Sequence, residues 1–289
     1  MSSRPPASLL RRLLCAGLLC AVAALHAADD PVAVFSQVFN GYTRTRLPDG
    51  SFKPETYGFA EGGRQTRAVG DPELDQMPFA RIAGSVVGPL ARLNYRMTSK
   101  PDETDLLILV FWGSTAGSRD HDPNGTMDRA AGAIADFNTR SGPEAEAAGA
   151  AYDTALWQLH LANEDRDRLD DYNARILGFT DSLERARAEA HMGFGQDLLA
   201  EISANRYYVV LQAYDFPTAR KLKKLKPLWT ARISIRESGN GFADALARMI
   251  ASAAPYFGRD SGGLRRATLR EGKVELGPLQ IIEVVPPKP

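Results

Sequence analysis

The most apolar run of the chain outside its N-terminal segment covers residues 106–112, seven consecutive apolar side chains without polar alternation. Pro101 precedes this run and Gly113 follows it. A run this short between such breakers favours a strand over a buried helix. A strand that is apolar on both sides needs cover on both faces, so the pattern predicts a central strand around which the fold is built.

Three further segments have the patterns of strands. Residues 56–60 and 207–214 are short and nearly all apolar, whereas residues 229–236 alternate between apolar and polar side chains. Alternation with a period of two predicts a strand with one face in the core and the other in water. We therefore expect Arg232 and the other polar residues of this last strand to be solvated.

Turn signals set the expected ends of several strands. Asp49-Gly50 predicts a hairpin before residues 56–60, and Gly62-Gly63 is expected to end that strand. Short strand-like pieces also occur in the tail, at residues 274–276 and 280–285.

Two amphipathic helices are predicted, one before and one after the central run. Apolar residues recur at spacings of three and four over residues 79–93 and again over residues 242–253. This spacing is typical of helices with one buried face. Pro89 is expected to kink the first helix because proline lacks a backbone donor. Asn240 is a suitable N-cap for the second.

Residues 127–205 form a different kind of sequence. They are rich in alanine, contain one proline and no lysine, and carry 15 acidic residues against 7 arginines. Capping signals at residues 141–144 and 181–184 indicate helix starts, so the segment is expected to form two to four helices. If the strands on either side share one sheet, this helical insertion leaves and re-enters a single core.

Together these patterns predict an α+β fold, with a mixed or antiparallel sheet of about four to six strands packed by two helices and interrupted by the alanine-rich insertion. The expected core domain combines residues 28–126 with residues 206–285. Residues 127–205 form the insertion, and residues 286–289 form a short tail.

The N-terminal segment has the features of an export signal. Three arginines precede an apolar stretch at residues 13–25, and Ala27 offers a small residue for cleavage. Thirteen apolar residues are too few to span a bilayer comfortably. We expect residues 1–27 to be removed and the mature chain to be periplasmic or secreted, with no transmembrane span. The alternatives are an uncleaved leader that anchors the chain, or lipid attachment at Cys20.

Removal of the leader would change the chemistry open to the chain. Both cysteines lie inside it, so the mature protein would have no disulfide and no thiolate ligand or nucleophile. The leader also contains three arginines and no acid, so a net charge of zero would become a net charge of −3. This balance argues against a nucleic-acid partner, which would call for a clearly basic domain.

Several landmarks occur in a familiar order: Thr56-Tyr57-Gly58-Phe59, Asp105-Leu106-Leu107-Ile108, Tyr214-Asp215 and Leu228-Trp229-Thr230-Ala231. In this order the chain resembles a family of small envelope lipoproteins of unknown function in Gram-negative bacteria. The resemblance covers roughly residues 55–115 and 207–258. The chain departs from the family in lacking a convincing lipid-attachment cysteine and in carrying the helical insertion. The resemblance implies an α+β envelope domain, and it supplies no catalytic residues.

One local pattern suggests a metal site. Oxygen-bearing side chains alternate from residue 120 onward with a glycine, Gly125, in the sixth place, as in the first half of a calcium loop. Ala131 occupies the twelfth place, where an acid is expected, and no helix is predicted before the loop. The alternative is a surface turn that caps the following helix. The candidate ligands are the side chains of Asp120, Asp122, Asn124 and Asp128 and the backbone carbonyl of Thr126.

A nucleophilic enzyme is a second hypothesis. Ser114, Ser118 and His121 follow the central strand, where α/β active sites often lie. The sequence has no Gly-x-Ser-x-Gly elbow, no His-Glu-x-x-His motif and no phosphate-binding loop. Because these motifs are missing, the sequence favours the alternative that Ser114 and Ser118 are turn residues.

The third candidate is a basic segment, residues 220–226, which has five cations in seven residues and joins the two late strands as an expected hairpin tip. Such a tip suits an anionic lipid, an anionic glycan or an acidic face of an envelope protein. It could instead be a solvated loop or dock on the acidic insertion. Its cations are Arg220, Lys221, Lys223, Lys224 and Lys226.

These features favour a non-enzymatic binding or scaffold module of the cell envelope over an enzyme. The alternatives are a secreted hydrolase that uses the loop after Trp112 and a calcium-stabilised structural protein. No cofactor is expected apart from weakly bound calcium.

If the loop at residues 120–128 binds calcium, the missing acid at the twelfth place should make the affinity weak, in the range of about 10⁻⁴–10⁻³ M. Calcium at millimolar concentration should then raise the melting temperature relative to a chelator. An unchanged melting temperature would remove the hypothesis.

Overall fold

The computed structural model describes residues 30–66, 71–118, 125–192 and 195–267. Its strands form one mixed sheet of seven strands in the order β3-β2-β4-β5-β6-β1-β7. The strands are β1 (Val32–Val38), β2 (Glu55–Thr66), β3 (Tyr95–Met97), β4 (Leu106–Thr115), β5 (Arg206–Asp215), β6 (Pro227–Arg236) and β7 (Arg265–Ala267).

Helices cover both faces of this sheet, which confirms the predicted α+β class. The described residues contain the helices α1 (Pro72–Asp75), α2 (Phe79–Arg92), α3 (Thr126–Thr139), α4 (Pro143–Leu177), α5 (Thr180–Glu189), α6 (Gln196–Ile202), α7 (Phe216–Leu222) and α8 (Phe242–Ala253). The sheet exceeds the predicted four to six strands because β3 and β7 have three residues each, too few to show a periodic pattern.

The four strands predicted from their apolar patterns are neighbours in the sheet. Strand β4 pairs in parallel with β2 on one side and antiparallel with β5 on the other. Strand β5 then pairs antiparallel with β6. The parallel pair requires a crossover, which the segment containing α2 provides.

The first face of the sheet carries the main core. Helices α2 and α8 place their apolar stripes on it, as predicted, and Pro89 lies within α2 without ending it. Ile82 and Val86 of α2 and Phe242 and Met249 of α8 are each 0% exposed. Burial of one such side chain is worth roughly 1.5–3 kcal/mol, so the two stripes hold the helices on the sheet.

The second face was expected to be solvated along β6, and that expectation holds for Arg236, which is exposed, but not for Thr230 and Ser234. Thr230 is 2% exposed and Ser234 is 0% exposed. The insertion covers this face: Leu177 and Phe179, at the end of α4 and just after it, pack in one cluster with Tyr208 of β5. The alternation in β6 therefore separates an apolar face from a polar face that a second layer covers in part. Arg232 on this polar face is half-buried.

Strand β1 pairs differently from the predicted hairpin. It lies antiparallel between β6 and β7, so it does not pair with β2. The turn at Asp49-Gly50 supports one isolated bridge, between Arg46 and Phe52. The local turn signal was correct, but it gives no information on which distant strand β1 joins.

Strand β2 also continues past its predicted end at Gly62-Gly63. A bulge between Glu61 and Gly63 lets the pairing with β4 resume as far as Ser114. A Cβ atom at Gly62 would lie 2.6 Å from the Phe111 ring. Glycine at this point therefore permits the close approach of the two strands rather than a break.

The start of α8 differs from the expected Asn240 cap. Gly241 is the N-cap residue, and Asn240 Nδ2 donates to the carbonyl of Arg236 at 2.9 Å. The amides of Phe242 and Ala243 donate to the two carboxylate oxygens of Glu73 at 3.1 and 3.0 Å. A carboxylate from another helix thus caps α8 and favours its dipole.

Some predictions fall on residues outside the described ranges. These are the leader at residues 1–27 and the tail strands at residues 274–276 and 280–285. Within the described ranges, every helix is either too short or too polar to serve as a bilayer-crossing segment.

Candidate functional site

The proposed calcium loop lies mainly outside the described residues, because residues 119–124 are among those not described. Thr126 and Asp128 are described, and both lie in the first turn of α3, where Thr126 is 6% exposed. Within the described ranges, no group of three or more metal-ligating side chains occurs. Asp120, Asp122 and Asn124 lie outside the described ranges, so calcium binding stays a prediction.

Of the two candidate serines, Ser114 lies within β4, whereas Ser118 follows the strand and contacts the insertion. Ser118 Oγ donates to Asp170 Oδ1 at 2.7 Å, and Ser203 Oγ donates to Asp170 Oδ2 at 3.0 Å. Asn173 Nδ2 donates to the carbonyl of Ala116 at 2.8 Å. Ser114 and Ser118 are each 2% exposed. This buried network orients α4 against the end of β4.

Asp170 is the unusual member of this network. Burial raises the pKa of its carboxyl above the ordinary value of 3.8, although the hydroxyls of Ser118 and Ser203 lower it. Ser118 donates its proton to a carboxylate and not to an imidazole, and His121 lies outside the described residues. The arrangement is that of a structural contact, since a nucleophile needs access to substrate.

The basic segment, residues 220–226, is exposed along its whole length, as predicted, but it is not a simple hairpin tip. Helix α7 begins directly after β5, where Asp215 Oδ1 accepts a hydrogen bond from the Thr218 amide at 2.9 Å. The cations therefore occupy the last turn of α7 and the four residues after it. Lysine and arginine near the C-terminus of a helix favour its dipole.

One cation of the segment is ion-paired within the described residues: Arg220 contacts Asp102. The four lysines make no ion pair in the same ranges, and neither do they contact acids of the insertion there. Leu222 is 65% exposed and Leu225 is 57% exposed. The segment therefore presents unpaired positive charge beside two exposed leucines.

Lys223 has an unfavourable backbone conformation. It is the C-cap of α7 with a φ of 56°, in the left-handed region that normally selects glycine or asparagine. A lysine there costs about 1 kcal/mol relative to glycine. Local stability is therefore a poor explanation for a cation at this position.

A further site was missed by the sequence patterns, on the second face of the sheet. The row of neighbours across β4, β5, β6 and β1 is Phe111, Val210, Arg232 and Phe35. Arg232 thus stands in the middle of an otherwise apolar row. We call this surface, together with the overlying end of α4, the sheet groove.

The sheet groove contains two cavities that share Arg175 and Arg232. One, of about 240 Å³, has an apolar floor of Phe111, Ile176, Tyr208 and Val210. The other, of about 320 Å³, extends toward β1. Gly178, with a φ of 79°, ends α4 directly over Phe35, where a Cβ would lie 2.6 Å from the ring.

Arg232 is half-buried, and burial lowers the pKa of its guanidinium. Within the described ranges its side chain makes no hydrogen bond and no ion pair. The ionisable group that acts on it is Tyr214, a phenol whose own pKa is raised by burial. A cation that is partly removed from water is normally paired, so the lack of a partner for Arg232 among the described residues is unusual.

The comparisons with known proteins add little. No protein-family model and no curated protein matches the chain. A crystal structure of a PDZ domain protein from Parabacteroides distasonis is similar over 86% of this chain, with 11% identity and a TM-score of 0.32. The chain spans 42% of that protein's length. A TM-score this low supports no conclusion about the fold or function of this chain. The resemblance to envelope lipoproteins stays a prediction.

The raised pKa of Asp170 predicts a pH dependence of stability. Because its folded pKa lies above 3.8, the contribution of this carboxyl is fully present below pH 3.8 and is lost as the pH rises through the folded pKa. Asp170→Asn removes this titration. We expect the unfolding free energy of the wild type minus that of the variant, measured in urea, to fall as the pH rises above 3.8. A difference that grows with pH would contradict the assignment.

Proposed function

We propose that the chain is an exported, non-enzymatic module of the cell envelope that attaches through its basic segment to an anionic lipid surface. The arginines and apolar stretch of the leader support export to the periplasm or beyond. The observation that carries the proposal is the exposed segment at residues 220–226, with four lysines that are unpaired within the described ranges.

The charge of the segment supports an external partner. Exposed ion pairs contribute about 0–1 kcal/mol each to folding, and like charges this close repel one another. Near an anionic membrane, each lysine contributes about 1 kcal/mol of attraction. A cluster that does little for the fold can therefore be worth several kcal/mol in binding.

The exposed leucines support a lipid over a soluble polyanion. Leu222 and Leu225 flank Lys223 and Lys224, so cations and apolar side chains alternate along the segment. At a membrane the leucines can enter the acyl boundary while the lysines stay among the headgroups. A glycan or an acidic protein face would use the charges without needing the leucines.

Removal of the charges should weaken attachment to vesicles without harming the fold. A variant with Lys221, Lys224 and Lys226 changed to Gln and Lys223 changed to Gly should bind vesicles that contain phosphatidylglycerol roughly tenfold or more weakly. Its melting temperature should be equal or higher, because a glycine in place of Lys223 adopts the left-handed conformation without strain. Co-sedimentation at low and high salt gives the measurement.

Two further variants test whether attachment depends on the basic segment and on its leucines. A control with the same net charge, in which Arg129, Arg140, Arg168 and Arg185 of the insertion become Gln, should bind normally. Leu222→Gln with Leu225→Gln should weaken attachment to lipid while leaving the charges in place. Unchanged attachment of the lysine variant would refute the proposal, and a lower melting temperature would indicate that the segment contributes to the fold instead.

A further inference from the structure

We propose that the sheet groove binds a small organic anion with an apolar body, whose carboxylate or phosphate lies against Arg232 and Arg175. The site is separate from the basic segment, so the inference does not depend on the proposed attachment to lipid. Its ligand class follows from a half-buried cation placed beside an apolar floor.

The first argument is the unmet charge of Arg232. Its cross-strand neighbours are Val210 on β5 and Phe35 on β1, neither of which can accept a hydrogen bond through its side chain. Removing a guanidinium from water without a partner is unfavourable, which agrees with the lowered pKa. An anion in the groove would supply the missing partner, and a planar guanidinium suits a bidentate carboxylate or phosphate.

The second argument is a second arginine at the same opening. Arg175, in the last turn of α4, lines both cavities, and its side chain makes no ion pair or hydrogen bond within the described ranges. Its position at the C-terminus of α4 also favours the helix dipole. Stabilising the helix dipole does not require Arg175 to line a cavity with Arg232. The presence of both arginines in the same two cavities is therefore the informative feature.

The acids around the groove do not neutralise this charge. Asp181 lines the cavity on the β1 side, but its carboxylate forms no ion pair with either arginine within the described ranges. Asp181 lies in the first turn of α5, where an acid favours the helix dipole. The groove therefore has a local excess of positive charge in a protein whose net charge is zero.

The third argument is the shape and polarity of the floor. Phe111, Ile176 and Val210 form an apolar surface next to Arg232, and Gln212 adds one amide at the edge. The cavities, about 240 and 320 Å³, meet at the shared arginines and together suit a ligand at the small end of the usual range of about 300–1,000 Å³. A short aliphatic or aromatic body fits this floor, and its charge then lies at the arginines.

The test uses the leaderless protein and three matched probes in isothermal titration calorimetry. Octanoate has both charge and chain, octanol has the chain alone, and acetate has the charge alone. We expect saturable binding of octanoate and at least tenfold weaker binding of octanol and acetate. Octyl phosphate tests the second headgroup and distinguishes a phosphate ligand from a carboxylate ligand.

Variants then assign the site. Arg232→Met and Arg175→Met keep an apolar stem and should each weaken the octanoate affinity at least tenfold. Arg236→Met, an exposed arginine on the same strand, is the control and should change nothing. Since Arg232 has no hydrogen-bond or ion-pair partner to lose among the described residues, the melting temperature of Arg232→Met should be unchanged or higher. Equal affinity for octanoate and octanol, an affinity unaffected by Arg232→Met, or a marked fall in its melting temperature would overturn the inference.

Discussion

Strands β4, β5 and β6 have side chains on both faces that must leave water, so the sheet needs two covering layers. Helices α2 and α8 cover the first face. The second face holds Ala33, Tyr208 and Val210, and the chain covers it with the end of its own insertion. The sheet groove depends on that contact, because Arg175 and Ile176 of α4 line it together with residues of β4, β5 and β6.

Polar contacts determine how the insertion lies on the sheet. Asp170 accepts hydrogen bonds from Ser118 and Ser203, which ties α4 to the end of β4 and to the residue after α6. Glu201 of α6 is 7% exposed and lies 3.4 Å from Nη1 of Arg206, which is 2% exposed. Apolar packing supplies the stability of this contact. Asp170 and Glu201 restrict the orientation of the insertion, because another orientation would leave a buried carboxylate without its partner, which is costly.

The same Glu201 also binds Arg266 of β7, whose Nε donates to Glu201 Oε2 at 3.0 Å. One carboxylate therefore joins the insertion, the middle of the sheet and its β7 edge. This contact adds to the pairing with β1 in holding a strand of only three residues at the edge of the sheet. The insertion is thus integrated with the core and is not merely appended to it.

The sequence was sufficient to predict an element where its hydrophobic pattern continued over many consecutive residues. The stripes of α2 and α8, the apolar runs of β4 and β5 and the helical character of the insertion all follow from periodicity. The partner of β1 did not follow, because strand pairing is a property of distant segments. The polar face of β6 was assigned to water because alternation shows that two faces differ, not what covers each of them. The arginine of the sheet groove was missed for the same reason.

Of the two candidate sites, one could be predicted from the sequence and the other could not. The basic segment is visible in sequence because five cations are consecutive or nearly so, and its exposure agrees with that pattern. The sheet groove brings together Arg175 and Arg232, which are 57 residues apart and belong to a helix and a strand with unrelated periodicities. No local signal could have joined them without the register of β5 and β6 and the position of α4.

The docking of the insertion on the sheet is the central claim, and native-state hydrogen exchange tests it most directly. If residues 170–202 share a core with β5 and β6, their slowest amides should open with free energies close to those of the sheet, within about 1 kcal/mol. The region around Trp157, which is 62% exposed, should open at a lower free energy. Fast exchange throughout residues 170–202, with the sheet still protected, would contradict the account.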